Sequence, residues 1–275
     1  MVTKEMMLAA LRELGVAEGD ILLTHSSFKS LGGCENGADT VISAMREAVG
    51  HDGTVVFPTL CQNDWEHVYE NWHLDAPSDV GYLTNYFRKL PGAKRSDQAT
   101  HSVAAMGKDA DYLTATHGVT GLRYGIFGDT PFSADSPWQK MYEKNAKTLF
   151  LGCSIKFCTF RHLAEYIVMA DYLERAKKSP DFEALKGEVW HYHRPKKYGV
   201  WPQIKSVVLE EMLEERGKIR RARCGEADLL LVGARDFVDL AMTCIREHKT
   251  EALSEYPPLW TIAETLDWLC RVEAL

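Results

Sequence analysis

A change of period along the first quarter of the chain limits the fold more than any other feature. Ile21-Leu22-Leu23-Thr24-His25 is one short apolar run and Thr54-Val55-Val56-Phe57 is a second. Between them, residues 37–49 place Val41, Ile42, Ala44, Met45 and Ala48 at helical spacing, and Gly50-His51-Asp52-Gly53 supplies a turn. Strand, helix and strand joined by short connections build a layered α/β sheet, because apolar strands need amphipathic helices to cover them.

The rest of the chain extends this pattern. Thr3 is placed to cap a helix over 4–14, and the spacing predicts further helices over 81–90, 110–117, 204–216 and 234–245. Strands are expected at 101–107, at Thr148-Leu149-Phe150-Leu151-Gly152 and across 224–232. Ser136-Pro137 reads as a helix start, with the serine as cap and the proline in the first helical position. Residues 58–79 have no clear period but hold Trp65, His67, Tyr69, Trp72 and His73, as a pocket-lining loop would. No repeat or linker interrupts the chain, so a single domain over 1–275 is expected, with an irregular segment at about 186–203.

A net charge of −7 disfavours bulk nucleic-acid binding, which calls for a basic face. The seven cysteines are scattered without a C-x-x-C pair, as reduced thiols of a cytoplasmic protein would be. No stretch approaches the roughly 20 apolar residues of a membrane span. The apolar C-terminal residues around Leu259-Trp260 and Leu266-Asp267-Trp268-Leu269 suit either the chain's own core or a homodimer contact.

Thr159-Phe160-Arg161-His162-Leu163-Ala164-Glu165 carries the clearest chemistry. It follows an apolar strand and opens a helix. His162 and Glu165, three apart, share a helix face, so a carboxylate can orient the ring of a general base; a solvated helix face explains the same spacing. His25-Ser26-Ser27-Phe28-Lys29-Ser30-Leu31-Gly32-Gly33 follows the first strand, and its small residues let backbone N–H groups approach a phosphate or a pantetheine chain, or simply cap the next helix. It matches neither common nucleotide fingerprint. In the loop from Arg95, the guanidinium is a candidate phosphate ligand, and His101 and Ser102 are candidates for the same cleft. Cys153 and Cys158 allow a zinc site with His162 or a nucleophile activated by it, although spacings of five and four do not match common structural zinc pairs. His191 and His193 are a weaker pair.

Together, in this order and spacing, five segments resemble the aminoglycoside 3-N-acetyltransferase family. They are residues 25–32, Gly53-Thr54-Val55-Val56-Phe57-Pro58-Thr59, the loop from Arg95-Ser96 through Ser102-Val103-Ala104-Ala105-Met106-Gly107, Asp135-Ser136-Pro137, and Thr159 to Glu165. The resemblance implies a three-layer α/β/α sandwich around a central mixed sheet. It implies acetyl-CoA as donor, an amine as acceptor, foremost the 3-amino group of an aminoglycoside antibiotic with a biosynthetic amine as the alternative, and no metal. Ser26, Ser27, Phe28, Lys29, Ser30, Leu31 and Gly32 would hold the coenzyme, with Ser102 and Val103 bordering its arm. His162 would be the base, Glu165 its companion, and Thr159 a contact for the thioester carbonyl. Asp64, Glu66 and Asp79 are the candidate acceptor carboxylates. Gln98-Ala99 departs from the His-Pro that many relatives carry in the Arg-Ser loop.

Overall fold

The computed structural model describes residues 1–64, 67–117, 130–190, 198–257 and 259–275. The N-terminal half runs α1 (Lys4–Glu13), β1 (Ile21–Ser26), α2 (Ala38–Val49), β2 (Thr54–Pro58), α3 (Tyr82–Phe87), β3 (Lys94–Arg95), β4 (Val103–Gly107) and α4 (Ala110–Thr114). It continues α5 (Pro137–Glu143), β5 (Lys147–Leu151), α6 (Phe160–Ala176), α7 (Phe182–Glu188), α8 (Ser206–Glu215), β6 (Ile219–Cys224), β7 (Ala227–Gly233), α9 (Ala234–Arg246) and α10 (Ile262–Glu273).

The strands form one seven-stranded mixed sheet in the order β3-β4-β2-β1-β5-β7-β6. β2, β1 and β5 are parallel in its centre, and every outer pairing is antiparallel. Alternate side chains feed two separate cores. Leu22, Val55, Phe57, Leu149 and Leu151 pack with apolar residues of α1, α2 and α3, whereas Leu23, Val56, Phe150, Leu230 and Val232 pack with those of α5, α6 and α9. The period of two along each strand therefore produces the α/β/α layering. Trp268 and Leu269 are buried in the second core, so the C-terminal residues pack on the chain's own helices. No described helix is long and apolar enough to cross a membrane.

Sequence pattern and structure part at one edge. The apolar run expected as a single strand over 224–232 is a hairpin: β6 ends at Cys224, Gly225 turns with φ of 58°, and β7 starts at Ala227. β6 carries Arg220, Arg221 and Arg223 at exposed positions, so it has no apolar run to betray it, and its charges suit a sheet edge. The strand expected from residue 101 begins at Val103. α7 and α10 complete the second helical layer without having been expected. The Ser136 cap behaves as anticipated: its hydroxyl accepts from Gln139 N, with Pro137 opening α5.

Trp138 on α5 is fully buried, and its Nε1 donates to the His101 carbonyl at 2.9 Å, tying the second core to the loop before β4. Trp138→Ala is expected to cost about 3–5 kcal/mol of unfolding free energy in urea titration, from lost burial and an orphaned carbonyl. A cost under about 1 kcal/mol would mean the tie is dispensable.

Candidate active site

The parallel strands fix where a ligand can sit. The chain leaves β1 toward α2 and β2 on one side, while β5 joins β1 on the other, so the carboxyl ends of β1 and β5 form a topological switch point. A cavity of about 680 Å³ opens there. His25, Ser26, Ser27, Phe28 and Lys29 line it from β1 and the following turn. Cys153, Lys156, Cys158, Thr159, Arg161 and His162 line it from the β5–α6 connection. The two connections touch at Gly152, where φ is 60° and an added Cβ would lie 1.7 Å from Ser30 Oγ, so only glycine fits.

α6 places the central pair. Thr159 is its N-cap residue, although the hydroxyl does not cap the helix, and His162 is the third helical residue. Glu165, one turn on, is completely buried. Its carboxylate accepts from His162 Nδ1 at 3.0 Å, from Trp201 Nε1 at 3.0 Å and from Ile204 N at 2.9 Å. A carboxylate only accepts, so the proton of a neutral ring sits on Nδ1 and the lone pair on Nε2. Arg161 Nε donates to that Nε2 at 3.3 Å, in keeping with this tautomer.

His162 also lines a second, smaller cavity of about 240 Å³. Gln62 and His101 share both cavities. The imidazole therefore stands at a junction between two clefts. Tyr69, Phe132, Tyr166, Trp190, Trp201 and Trp260 give the smaller cleft an aromatic share of its wall.

The structure gathers Ser26, Ser27, Phe28, Lys29, Thr159 and His162 at the large cavity, as the sequence suggested. Ser30, Leu31 and Gly32 do not line it: Ser30 Oγ donates to the Ser27 carbonyl, and Leu31 packs into the first core. Ser102 and Val103 are fully buried and line neither cavity; Ser102 bonds Thr59, while their neighbour His101 takes the lining position. Arg95 is not placed as a phosphate ligand. Its guanidinium donates to the carbonyls of Thr59, Leu74 and Ala76 and to the Thr59 and Ser102 hydroxyls, and it stacks 4.6 Å from the Trp72 ring. Asp64 accepts from His67 and Asn71 at an exposed site, and Asp79 accepts from the backbone of Gln62 and Asn63 and lines the large cavity. Glu66, His191 and His193 lie outside the described residues.

Burial pushes the Cys153 thiol up to about 11 and the Cys158 thiol up to about 12, so both stay protonated and poorly nucleophilic. Among the described residues they form no three-donor group with His162. Trp201 and Ile204 are the site residues that sequence reasoning missed. They sit 36 and 39 residues beyond Glu165, Trp201 in the irregular segment and Ile204 at the start of the helix expected over 204–216, and neither position announces a contact with α6.

Fold and site define a layered α/β protein with two clefts meeting at a carboxylate-held imidazole on the switch point of its sheet. The chain belongs to the aminoglycoside 3-N-acetyltransferase family, whose model matches residues 23–246. It is 32% identical over 184 residues to aminoglycoside N(3)-acetyltransferase III of a Salmonella species, a match covering 61% of this chain and 61% of that protein. The chain thus spans about three fifths of the length of the first curated relatives it matches. The fold is similar to that of a mutant of aminoglycoside acetyltransferase AAC(3)-IVa in complex with a gentamicin, with a TM-score of 0.70, 23% identity and 96% of each chain covered. It is also similar to AAC-IIIb in a binary complex with CoASH, with a TM-score of 0.67, 20% identity and coverage of 93% and 99%.

Two buried histidines make stability depend on pH. Burial lowers both His25, stacked on Phe150 at 5.2 Å, and His117, held between Ser96 Oγ and the Pro131 carbonyl, to about 4. Below about pH 6.5 the unfolded chain takes up protons that the folded chain refuses. Stability is therefore expected to fall between pH 6.5 and about 4, by roughly 1.4 kcal/mol per unit for each histidine. Chemical denaturation across this window measures the slope, and His25→Gln should remove its share; an unchanged slope would place the proton uptake elsewhere.

Proposed function

We propose that the chain, folded as a single domain over 1–275, is an acetyl-CoA-dependent N-acetyltransferase that transfers directly to an amine with His162 as general base. The observation that carries this reading is the position of the His162 ring on two clefts, with Nδ1 held by Glu165. The larger cleft suits the coenzyme: Lys29, Lys156 and Arg161 offer cations for its phosphates, and Ser26 and Ser27 flank the path of a pantetheine arm. The smaller cleft then receives the amine.

An alkylammonium cannot attack a thioester until it loses a proton. His162 Nε2 takes that proton, and the freed amine adds to the carbonyl carbon. The oxygen gains negative charge at the amino end of α6, where the helix dipole and the Thr159 hydroxyl favour it. Collapse breaks the C–S bond, the imidazolium returns its proton to the leaving sulfur, and the second proton of the attacking nitrogen passes to solvent, giving amide, free CoA and one released proton. Glu165 fixes the ring and offsets its transient charge without touching either substrate. The two protonated cysteines take no part. The reading requires a compartment that supplies acetyl-CoA and keeps thiols reduced, which the cytoplasm does.

Family membership, together with the gentamicin complex of a relative, supports the 3-amino group of an aminoglycoside as the reference acceptor. The aromatic wall of the smaller cleft favours a second reading, transfer to a smaller biosynthetic amine.

His162→Ala is expected to lower kcat/KM for thiol release from acetyl-CoA by about 10²–10⁴ fold with the fold intact by circular dichroism. Near-wild-type turnover would end the assignment. Cys153→Ala and Cys158→Ala should stay within about threefold of the parent, and abolished turnover in either would point instead to a covalent intermediate.

A further inference from the structure

We propose that His248, Cys270 and Glu273 form a zinc site that clamps α10 to the end of α9, apart from the acetyl-transfer machinery. One imidazole nitrogen, the thiol sulfur and a carboxylate oxygen lie within 4.8 Å of one another. None of the three residues lines either cleft. Local rules bring them together. α9 ends in a two-bond stop, in which His248 N donates to the Ile245 carbonyl at 3.1 Å and Lys249 N to the Cys244 carbonyl at 2.9 Å. His248 takes the left-handed position of that stop, with φ of 55°, where glycine is the usual residue. The imidazole is thus carried on a stiff piece of backbone. Cys270 and Glu273, three apart on α10, share the helix face that meets it.

Geometry and charge both suit a metal. His248 Nε2 is closed off from solvent and lies 3.2 Å from Glu273 Oε1, yet the two do not align as a hydrogen bond. Cys270 Sγ lies 3.8 Å from Nδ1 of the same ring. Zinc holds nitrogen and oxygen at about 2.0 Å and sulfur at about 2.3 Å, so the edges of its tetrahedron run about 3.3–3.8 Å. In such a tetrahedron the nitrogen lone pair points at the ion and past the oxygen, in keeping with the misaligned pair. Closing the donors from 4.8 Å to those edges takes a shift of about 1 Å, within the rotamer freedom of the exposed Cys270. The Tyr172 hydroxyl donates to Glu273 Oε1 and Arg175 donates to the Glu273 backbone carbonyl, so α6 orients the carboxylate as outer groups orient metal ligands. A thiolate and a carboxylate together cancel the two positive charges of the ion. A thiolate beside an imidazole favours zinc over magnesium or calcium. Water takes the fourth position on the exposed Cys270 side. The ion fastens α10 to α9 and, through Tyr172, to α6.

The test uses the purified, metal-stripped chain, with zinc chloride in calorimetry and cobalt chloride as a spectroscopic probe. One zinc per chain is expected to bind. At a hundredfold excess over Kd it should raise the thermal midpoint by about 5 °C or more. Cobalt should show a sulfur-to-metal charge-transfer band. His248→Asn supplies a residue that tolerates the left-handed backbone, and Cys270→Ser and Glu273→Gln change little bulk. Each variant is expected to weaken zinc at least about tenfold, with its metal-free fold intact by circular dichroism. Cys270→Ser should also abolish the cobalt band. Zinc affinity unmoved in any one of the three variants overturns the proposal, as does a cobalt band that survives Cys270→Ser. Absence of zinc binding by the parent chain, or equal binding of magnesium chloride, overturns it as well. Acetyl transfer stands or falls separately, because none of the three residues belongs to it.

Discussion

Three hydrogen bonds into one buried carboxylate organise the site. Glu165 sits at zero exposure on α6 and receives a ring nitrogen from its own helix, an indole from Trp201 and a backbone amide from Ile204. A carboxylate removed from water is tolerable only when its oxygens are satisfied in this way, so the segment at 201–204 must lie against α6 before the ion is comfortable. The same contact sets the imidazole's tautomer and leaves the lone pair on Nε2, which accepts from Arg161 Nε. It also brings Trp201 into the wall of the smaller cleft, so one group holds the imidazole and shapes the space beside it.

Much of the fold was legible because burial writes itself into periodicity. The parallel strands are apolar on both faces, and α2 and α9 carry apolar stripes, so these elements emerge from pattern alone. β6 did not, because an exposed arginine-bearing edge strand looks like a polar connection. The site was legible where it is local. His162 and Glu165 are one turn apart, and Ser26 to Lys29 follow a readable strand. Arg95 misled because a guanidinium has five donors and sequence cannot say who accepts them. Trp201 and Ile204 stayed hidden because only tertiary packing brings them to Glu165, and the helical period that starts at 204 says nothing of that contact.

Family and site answer different questions. The family match rests on residues 23–246 and shares the switch-point architecture with relatives of low identity. The acceptor wall is drawn from other places: the loop after β2, the region before α5, and the segments after α7 and before α10. Those connections lie outside the sheet, where loops carry function over a rigid scaffold. Membership therefore constrains the reacting groups more tightly than it constrains the guest.

The Arg95 clamp has a consequence for recognition. By holding the carbonyls of residues 59, 74 and 76 together and resting on Trp72, it ties down the loop after β2, whose Leu60 and Gln62 line the large cavity. The conformational entropy of that loop is lost once, when the polypeptide collapses, and not again at each encounter. Association then resembles a key entering a finished lock, and differences between guests register mainly in how long each one resides.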